Sequence, residues 1–166
     1  MKELLQGRRF GFSPRAAIGY VAVGIGISLT LSDLMAWFAW GQSDTTGYVV
    51  VSDWLAHAVT VVLGIAVLAI LAEYIDVPGE DRSIARLDLV AGLVAFLLYG
   101  ASAFLRAFDI GAAAASTAPF LLAIAGLIVT FVDAAVSANL YSAREWEELD
   151  EEPMRERRPR RRAAGR

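Results

Sequence analysis

The chain contains no cysteine and a single histidine, His57. Without cysteine it has no disulfide and no thiolate nucleophile, and cysteine-ligated zinc and iron–sulfur centres are excluded. The sequence also lacks the HExxH, GxSxG and phosphate-loop motifs of metalloproteases, serine hydrolases and nucleotide-binding proteins. We therefore name no catalytic residue and expect a non-catalytic protein with no metal site and no bound cofactor; an enzyme that acts on lipids at the interface stays an open alternative. Haem at His57 is the open alternative, and it would need a second ligand from a methionine or from another copy of the chain.

Long apolar stretches account for most of the 166 residues. Hydrophobic residues make up 57% of the chain, and the mean hydropathy is +0.51. A membrane-spanning helix needs ~20 apolar residues, and a helix satisfies its own backbone hydrogen bonds in lipid. The sequence therefore predicts an all-α membrane protein, a bundle of four transmembrane helices at residues 16–40, 53–75, 87–108 and 117–141.

Charged segments flank this bundle, which we assign to residues 16–142. Residues 1–15 form a basic N-terminal segment, and residues 143–166 form a tail that is first acidic and then basic. The tail has few apolar residues, so we expect it to be disordered and cytoplasmic, with a helical continuation of the fourth span through its first turns as the alternative there. Its arginines are candidates for binding anionic lipid headgroups; they are Arg157, Arg158, Arg160, Arg161 and Arg162. A solvated tail that only sets the orientation is the alternative, and we expect no nucleic-acid partner.

The distribution of basic residues predicts the orientation. Basic residues lie before the first span, between the second and third, and after the fourth, whereas the opposite connections carry only Arg106. By the positive-inside rule, both termini are cytoplasmic in a multi-pass protein of the inner (plasma) membrane. Trp37, Trp40 and Trp54 lie at the opposite ends of their spans, as expected of an aromatic belt at the outer interface.

Ionisable residues within the spans are the main functional signal. At one end the sequence places Asp33, Asp53, His57 and Arg106, and at the other it places Glu73, Asp88 and Asp133. A charge at this depth costs ~2.5–3.5 kcal/mol on insertion scales and usually has a partner. Arg106 has three candidate partners, which are Asp33, Asp53 and Asp109.

These groups have two interpretations. They form either a proton or cation relay or the wall of a ligand cavity, or else a hydrogen-bonded clamp that holds helices in register. The middles of the second and third spans carry no continuous file of polar residues, so we favour the structural interpretation.

Small residues at helical spacing predict close helix packing. The first span carries Gly24, Ser28 and Ser32, and the third carries Gly92 and Gly100. We expect these faces to pack within the bundle, and a homo-oligomer interface is the alternative.

The order of motifs resembles a family of bacterial four-span proteins, known only as predicted membrane proteins, some of which are fused to Rieske-type iron–sulfur domains. The resemblance covers about residues 14–148. It includes a leucine-rich stretch with an acid, an acid followed by a proline–glycine loop, an apolar run closed by arginine, and a tyrosine at the inner end of the fourth span. The corresponding segments are Leu29–Leu34, Tyr74–Gly79, Ala103–Arg106 and Asn139–Tyr141.

The resemblance also implies what this chain lacks. The family has histidines at the starts of the first and third spans, where this chain has Arg15 and Asp88, and it commonly has asparagine in place of Gly92. If the family binds a redox cofactor, this chain lacks the ligands, which favours an accessory or scaffold subunit of a membrane complex, with electron transfer as a candidate context. The alternatives are a small transporter or ion pathway that uses the intramembrane acids, and a haem- or quinone-binding module.

Overall fold

The computed structural model describes residues 14–40, 44–75, 82–109, 112 and 116–156. Within these residues the chain is entirely helical, with short turns at the helix ends. The helices are α1 (Pro14–Trp37), α2 (Thr46–Tyr74), α3 (Arg82–Arg106) and α4 (Thr117–Glu156). All four are long and apolar enough to cross a membrane.

The helices form a closed ring in which each packs against its neighbours in sequence and α4 packs back against α1. Consecutive helices run in opposite directions, because the ends of α1 and α3 lie beside the starts of α2 and α4. We call this the Arg106 end of the bundle.

Buried positions recur at alternating spacings of three and four residues in every helix. This spacing is typical of helices that pack with a left-handed crossing of about 20°. The buried series are 22, 26, 29, 33 and 36 in α1; 49, 52, 56, 59, 63, 66 and 70 in α2; 88, 92, 95, 99, 102 and 106 in α3; and 119, 123, 126 and 130 in α4. Alanine and glycine are frequent in these series, which allows the helices to approach closely.

The start of α2 differs from the prediction, which began the second span at residue 53. The helix begins at Thr46 because local hydrogen bonds cap it there. The Thr45 carbonyl accepts the N–H groups of Tyr48 and Val49, and Asp44 Oδ1 accepts the Thr46 N–H at 3.0 Å. Hydrogen bonds from the Thr46 side chain and the Thr46 N–H lower the pKa of Asp44.

The other helix ends also depart from the hydropathy boundaries. Helix α1 ends at Trp37, and Ala39 takes a left-handed conformation (φ 47°) that turns the chain. Helix α3 begins at Arg82 and ends at Arg106, where the prediction had residues 87–108. Helix α4 begins at residue 117, as predicted, but continues to Glu156.

Part of the predicted disordered tail is therefore helical, namely residues 143–156. Alanine, arginine, glutamate and leucine, which are frequent there, are strong helix formers and can extend a helix that is already nucleated. The arginines assigned to lipid headgroups, residues 157–162, lie outside the described residues.

Candidate functional site

The most distinctive polar feature is a buried ion pair at the Arg106 end. Arg106 Nη1 donates to Asp33 Oδ1 at 2.7 Å, and Nη2 donates to Asp33 Oδ2 at 2.6 Å. The side chains are 2% and 0% exposed, respectively. This is the bidentate arrangement in which a planar guanidinium matches a carboxylate. Of the three candidate partners of Arg106, the structure selects Asp33.

Two serines complete the coordination of the guanidinium. Arg106 Nη1 also donates to Ser52 Oγ at 3.0 Å, and Nε donates to Ser102 Oγ at 3.2 Å. Each serine hydroxyl then donates its own proton to a backbone carbonyl, from Ser52 to Val49 O at 3.0 Å and from Ser102 to Pro119 O at 2.7 Å. The polar groups of the cluster therefore satisfy one another inside the protein.

We call Asp33, Ser52, Ser102, Arg106 and the Pro119 carbonyl the clamp. Its members come from all four helices, and its ion pair joins α1 to α3 across the diagonal of the ring. Because every member occupies a buried position of its helix, the three–four spacing alone brings them to the centre. A buried pair of this kind costs desolvation energy, and it is favourable only when further hydrogen bonds are also made; here Ser52 and Ser102 supply two of them.

Below the clamp, Tyr99 fills the centre of the bundle. Its ring lies against Gly126 of α4 and its hydroxyl lies against Gly26 of α1, so that a Cβ at either glycine would overlap the tyrosine. The side chain is fully buried. Its hydroxyl makes no hydrogen bond within the described part of the chain. Tyr99 is therefore a second bridge across the α1–α3 diagonal, made by packing rather than by charge.

Replacing Tyr99 with phenylalanine should leave stability unchanged or raise it. The change removes a buried hydroxyl that lacks a partner, and such a group costs about 1–3 kcal/mol when it is left unsatisfied. We expect the free energy of unfolding of Tyr99→Phe in detergent micelles to be equal to or up to ~1 kcal/mol above that of the parent. Tyr20→Phe, at an exposed tyrosine, is the matched control. A clear loss of stability in Tyr99→Phe alone would show that the hydroxyl has a structural partner.

Asp53 and His57 are near the clamp in sequence but do not belong to it. His57 Nδ1 lies 2.9 Å from the Asp53 backbone oxygen and 3.6 Å from Asp53 Oδ1. A carbonyl oxygen can only accept, so Nδ1 carries the proton and Nε2 is the free ring nitrogen. Both residues lie outside the buried series of α2, and the His57 side chain is 52% exposed. The four ionisable groups that the sequence places at this end are thus divided between two separate arrangements.

Asp109, the third candidate partner of Arg106, has a different role. Its Oδ2 accepts the Ser116 N–H at 3.0 Å, and the Ser116 carbonyl accepts the Phe120 N–H at the start of α4. It therefore organises the connection between α3 and α4. Pro119 lies in the first turn of α4, where its missing N–H costs little.

The acids at the other end occupy different environments. Asp88 is fully buried, in the inward series of α3, and Asp133 is half-buried on α4. Glu73 lies on α2, and its side chain is outside those described. Among the described residues, no group of three or more histidine or acidic side chains is placed to hold a metal ion.

The small residues predicted to pack are divided between the interior and the surface. A Cβ on Gly92 would lie 2.9 Å from Ile70 Cδ1, and one on Gly100 would lie 3.7 Å from Thr60 Cγ2, so both face α2. Ser32 is buried. Gly24 and Ser28 instead lie on the exposed face of α1, where the Ser28 hydroxyl donates to the Gly24 carbonyl at 2.9 Å. The glycine of α1 that packs inward is Gly26.

The sequence interpretation did not name Ser52, Tyr99, Gly26 or Gly126 as part of any site. The signal that locates them is the three–four spacing of small and polar residues, most visible in α3 at positions 88, 92, 95, 99, 102 and 106. In an otherwise apolar helix, polar residues face the bundle interior.

Comparison with known proteins gives no relative, because no family model, curated protein or solved structure matches this chain.

Proposed function

We propose that this chain is a multi-pass protein of the bacterial inner membrane with both termini in the cytoplasm. The four apolar helices support this proposal, and so does the concentration of basic residues at the ends opposite the Arg106 end. Exposed aromatic side chains cluster at the Arg106 end, as expected for an interfacial belt; they are Trp37, Phe38, Trp40, Trp54, Phe104 and Phe108. The outer face of the membrane is then at the Arg106 end.

Within that membrane, the proposed role is that of a non-catalytic accessory or scaffold subunit. The observation that carries it is the clamp, because its two charged groups, Asp33 and Arg106, form hydrogen bonds with each other. Asp33 is fully buried and both of its oxygens are bonded to Arg106, so it has no free oxygen for a proton or cation relay. Tyr99 and its two glycines fill the bundle centre below it. Such a bundle acts through its outer surface.

The experiment is affinity purification of the tagged full chain from native membranes after crosslinking, with the bound proteins identified by mass spectrometry. We expect at least one other membrane protein to be recovered in a fixed ratio to the bait. The resemblance to proteins fused to Rieske domains makes electron-transfer complexes the first partners to seek. A tagged, unrelated four-helix membrane protein expressed at the same level is the control for nonspecific capture.

Two results would contradict this role. The first is a chain recovered with no other protein. The second is proton or cation flux into liposomes that contain the pure protein, which would favour the transporter alternative. An absorption spectrum of the same sample tests the haem alternative, since bound haem gives a Soret band.

A further inference from the structure

Asp88 is a buried acid at the end of the bundle opposite the clamp. Its side chain is 1% exposed and belongs to the inward series of α3. A carboxylate removed from water in this way usually lies beside a positive charge. The two nearest arginines of its own helix, Arg82 and Arg86, are exposed, so they lie on other faces of α3. A positive partner for Asp88 therefore has to come from another helix.

The contacts between α1 and α3 give the register of these two parallel helices. Asp33 pairs with Arg106, 73 residues later in the sequence. Gly26 lies against Tyr99, which is again 73 residues later. Since both helices rise by 1.5 Å per residue, one separation holds along their length. The same separation places position 15 of α1 at the level of Asp88.

Position 15 is occupied by Arg15, the second residue of α1. It comes two helical turns before the buried Ala22, so it continues the inward series of α1 towards this end of the bundle. Helix α2 contains no lysine or arginine, and α4 has none before Arg144. Among the described helices, Arg15 is thus the basic residue on an inward position at the level of Asp88.

We infer that Arg15 and Asp88 form a second ion pair across the α1–α3 diagonal, with its polarity opposite to that of the clamp. Helix α1 then carries a positive charge at one end and a negative charge at the other, and α3 carries the reverse order. Sliding either helix by one turn would separate both pairs at once. A parallel α1 from another copy in the place of α3 would bring like charges together. The two pairs therefore fix both the register of the diagonal and its choice of helix, as charged pairs do between coiled-coil helices.

The two pairs act as a lock at both ends of the bundle. Arg15 and Asp33 are 18 residues apart on α1, or about 27 Å, which is close to the ~30 Å thickness of a hydrocarbon core. On the proposed membrane location, each pair then lies near one boundary of the bilayer. A transporter opens its two ends in turn, whereas this arrangement holds both ends closed at the same time. The lock belongs to the single chain, so it stands or falls independently of whether a partner subunit is recovered.

A double-mutant cycle with neutral residues of similar size tests the pair. Arg15→Gln and Asp88→Asn are introduced singly and together into the full chain, and unfolding is followed by circular dichroism as SDS is titrated into detergent micelles. We expect each single change to raise the unfolding equilibrium constant about tenfold, because each leaves one charge without its partner. The double variant should be no less stable than the weaker single variant, since the second change removes the charge that the first left unpaired.

Two further cycles show whether the coupling is specific. Arg86→Gln, at an exposed arginine of α3, is the matched control, and its effect should simply multiply with that of Asp88→Asn. Asp133 is the rival partner of Arg15, because it is half-buried on α4, which also packs on α1. Asp133→Asn should likewise show no coupling to Arg15→Gln.

Charge reversal tests the proposed polarity. Arg15→Asp and Asp88→Arg should each destabilise the bundle, and the two together should regain part of the loss, because the pair is rebuilt with the opposite order of charges. If either reversed single variant folds too poorly to titrate, the neutral cycle decides alone. Effects of Arg15→Gln and Asp88→Asn that simply multiply would overturn the pair, and so would coupling of Arg15 to Asp133 instead of Asp88.

Discussion

Replacing Arg106 with methionine should produce the largest loss of stability of any single change in the bundle. The substitution leaves the Asp33 carboxylate fully buried without its bidentate partner, and removing one member of a buried pair costs about 3–5 kcal/mol. The hydroxyl oxygens of Ser52 and Ser102 also lose the hydrogen bonds that they accept from the guanidinium. We would measure the free energy of unfolding by titrating SDS into detergent micelles and following circular dichroism.

A double variant separates loss of the pair from loss of volume. Asp33→Leu combined with Arg106→Met removes both charges, and replacing a whole buried ion pair with apolar residues is often neutral or stabilising. We expect the double variant to regain most of the stability lost in Arg106→Met alone. Arg86→Met, at an exposed arginine of the same helix, is the control and should change stability by less than ~0.5 kcal/mol. If the double variant is as unstable as the single one, the clamp does not act as a coupled pair.

The second large effect is expected from Gly26→Ala, a change of one methyl group. The new Cβ would overlap the Tyr99 hydroxyl and lie 3.0 Å from Leu127 Cδ1. Overpacking of this kind costs about 1–3 kcal/mol. Gly24→Ala, two residues earlier on the same helix, meets nothing within 4 Å and should be neutral or slightly stabilising, because alanine is the better helix former. The SDS titration described above compares the two variants directly.

Rescue by Tyr99→Phe tests which atom is responsible. Gly26 faces the hydroxyl, so removal of that oxygen should restore most of the stability lost in Gly26→Ala. At Gly126 the new Cβ would lie 2.9 Å and 3.0 Å from ring carbons, which phenylalanine retains. Gly126→Ala should therefore stay destabilised in the Tyr99→Phe background. The same degree of rescue at both glycines would mean that Tyr99 moves as a whole instead of being held between α1 and α4.

Hydropathy was sufficient to predict four helices but not where they end. The apolar residues of the second span give no reason to begin a helix at Thr46. That boundary depends on hydrogen bonds of Asp44 and Thr45. Capping involves only a few residues, and a hydropathy average over a whole span does not detect it. The helical start of the tail was open to prediction but its end was not, since a composition that cannot form a core can still extend an existing helix for several turns.

The facing of the helices was harder to predict than their existence. A helix that is apolar all round has no amphipathic signal to show which side is buried. On α1 the regular spacing of Gly24, Ser28 and Ser32 drew attention to one side, whereas the structure turns Gly26, Leu29 and Asp33 inward. The three partners proposed for Arg106 could not be distinguished for the same reason, because the choice depends on the rotation of each helix about its axis.

The division of the clamp between the two halves of the chain has a consequence for biogenesis. The first helical hairpin, α1 and α2, supplies the acid and Ser52, and the second, α3 and α4, supplies Arg106 and Ser102. Since a polypeptide emerges from the ribosome N-terminus first, on the proposed membrane location the first hairpin would enter the bilayer before the partner of the Asp33 carboxyl has been made. The Asp33 carboxyl can pair with Arg106 only after residue 106 has been translated. A chain truncated between the hairpins would therefore keep an Asp33 carboxyl without its arginine partner, which distinguishes it from the full-length protein.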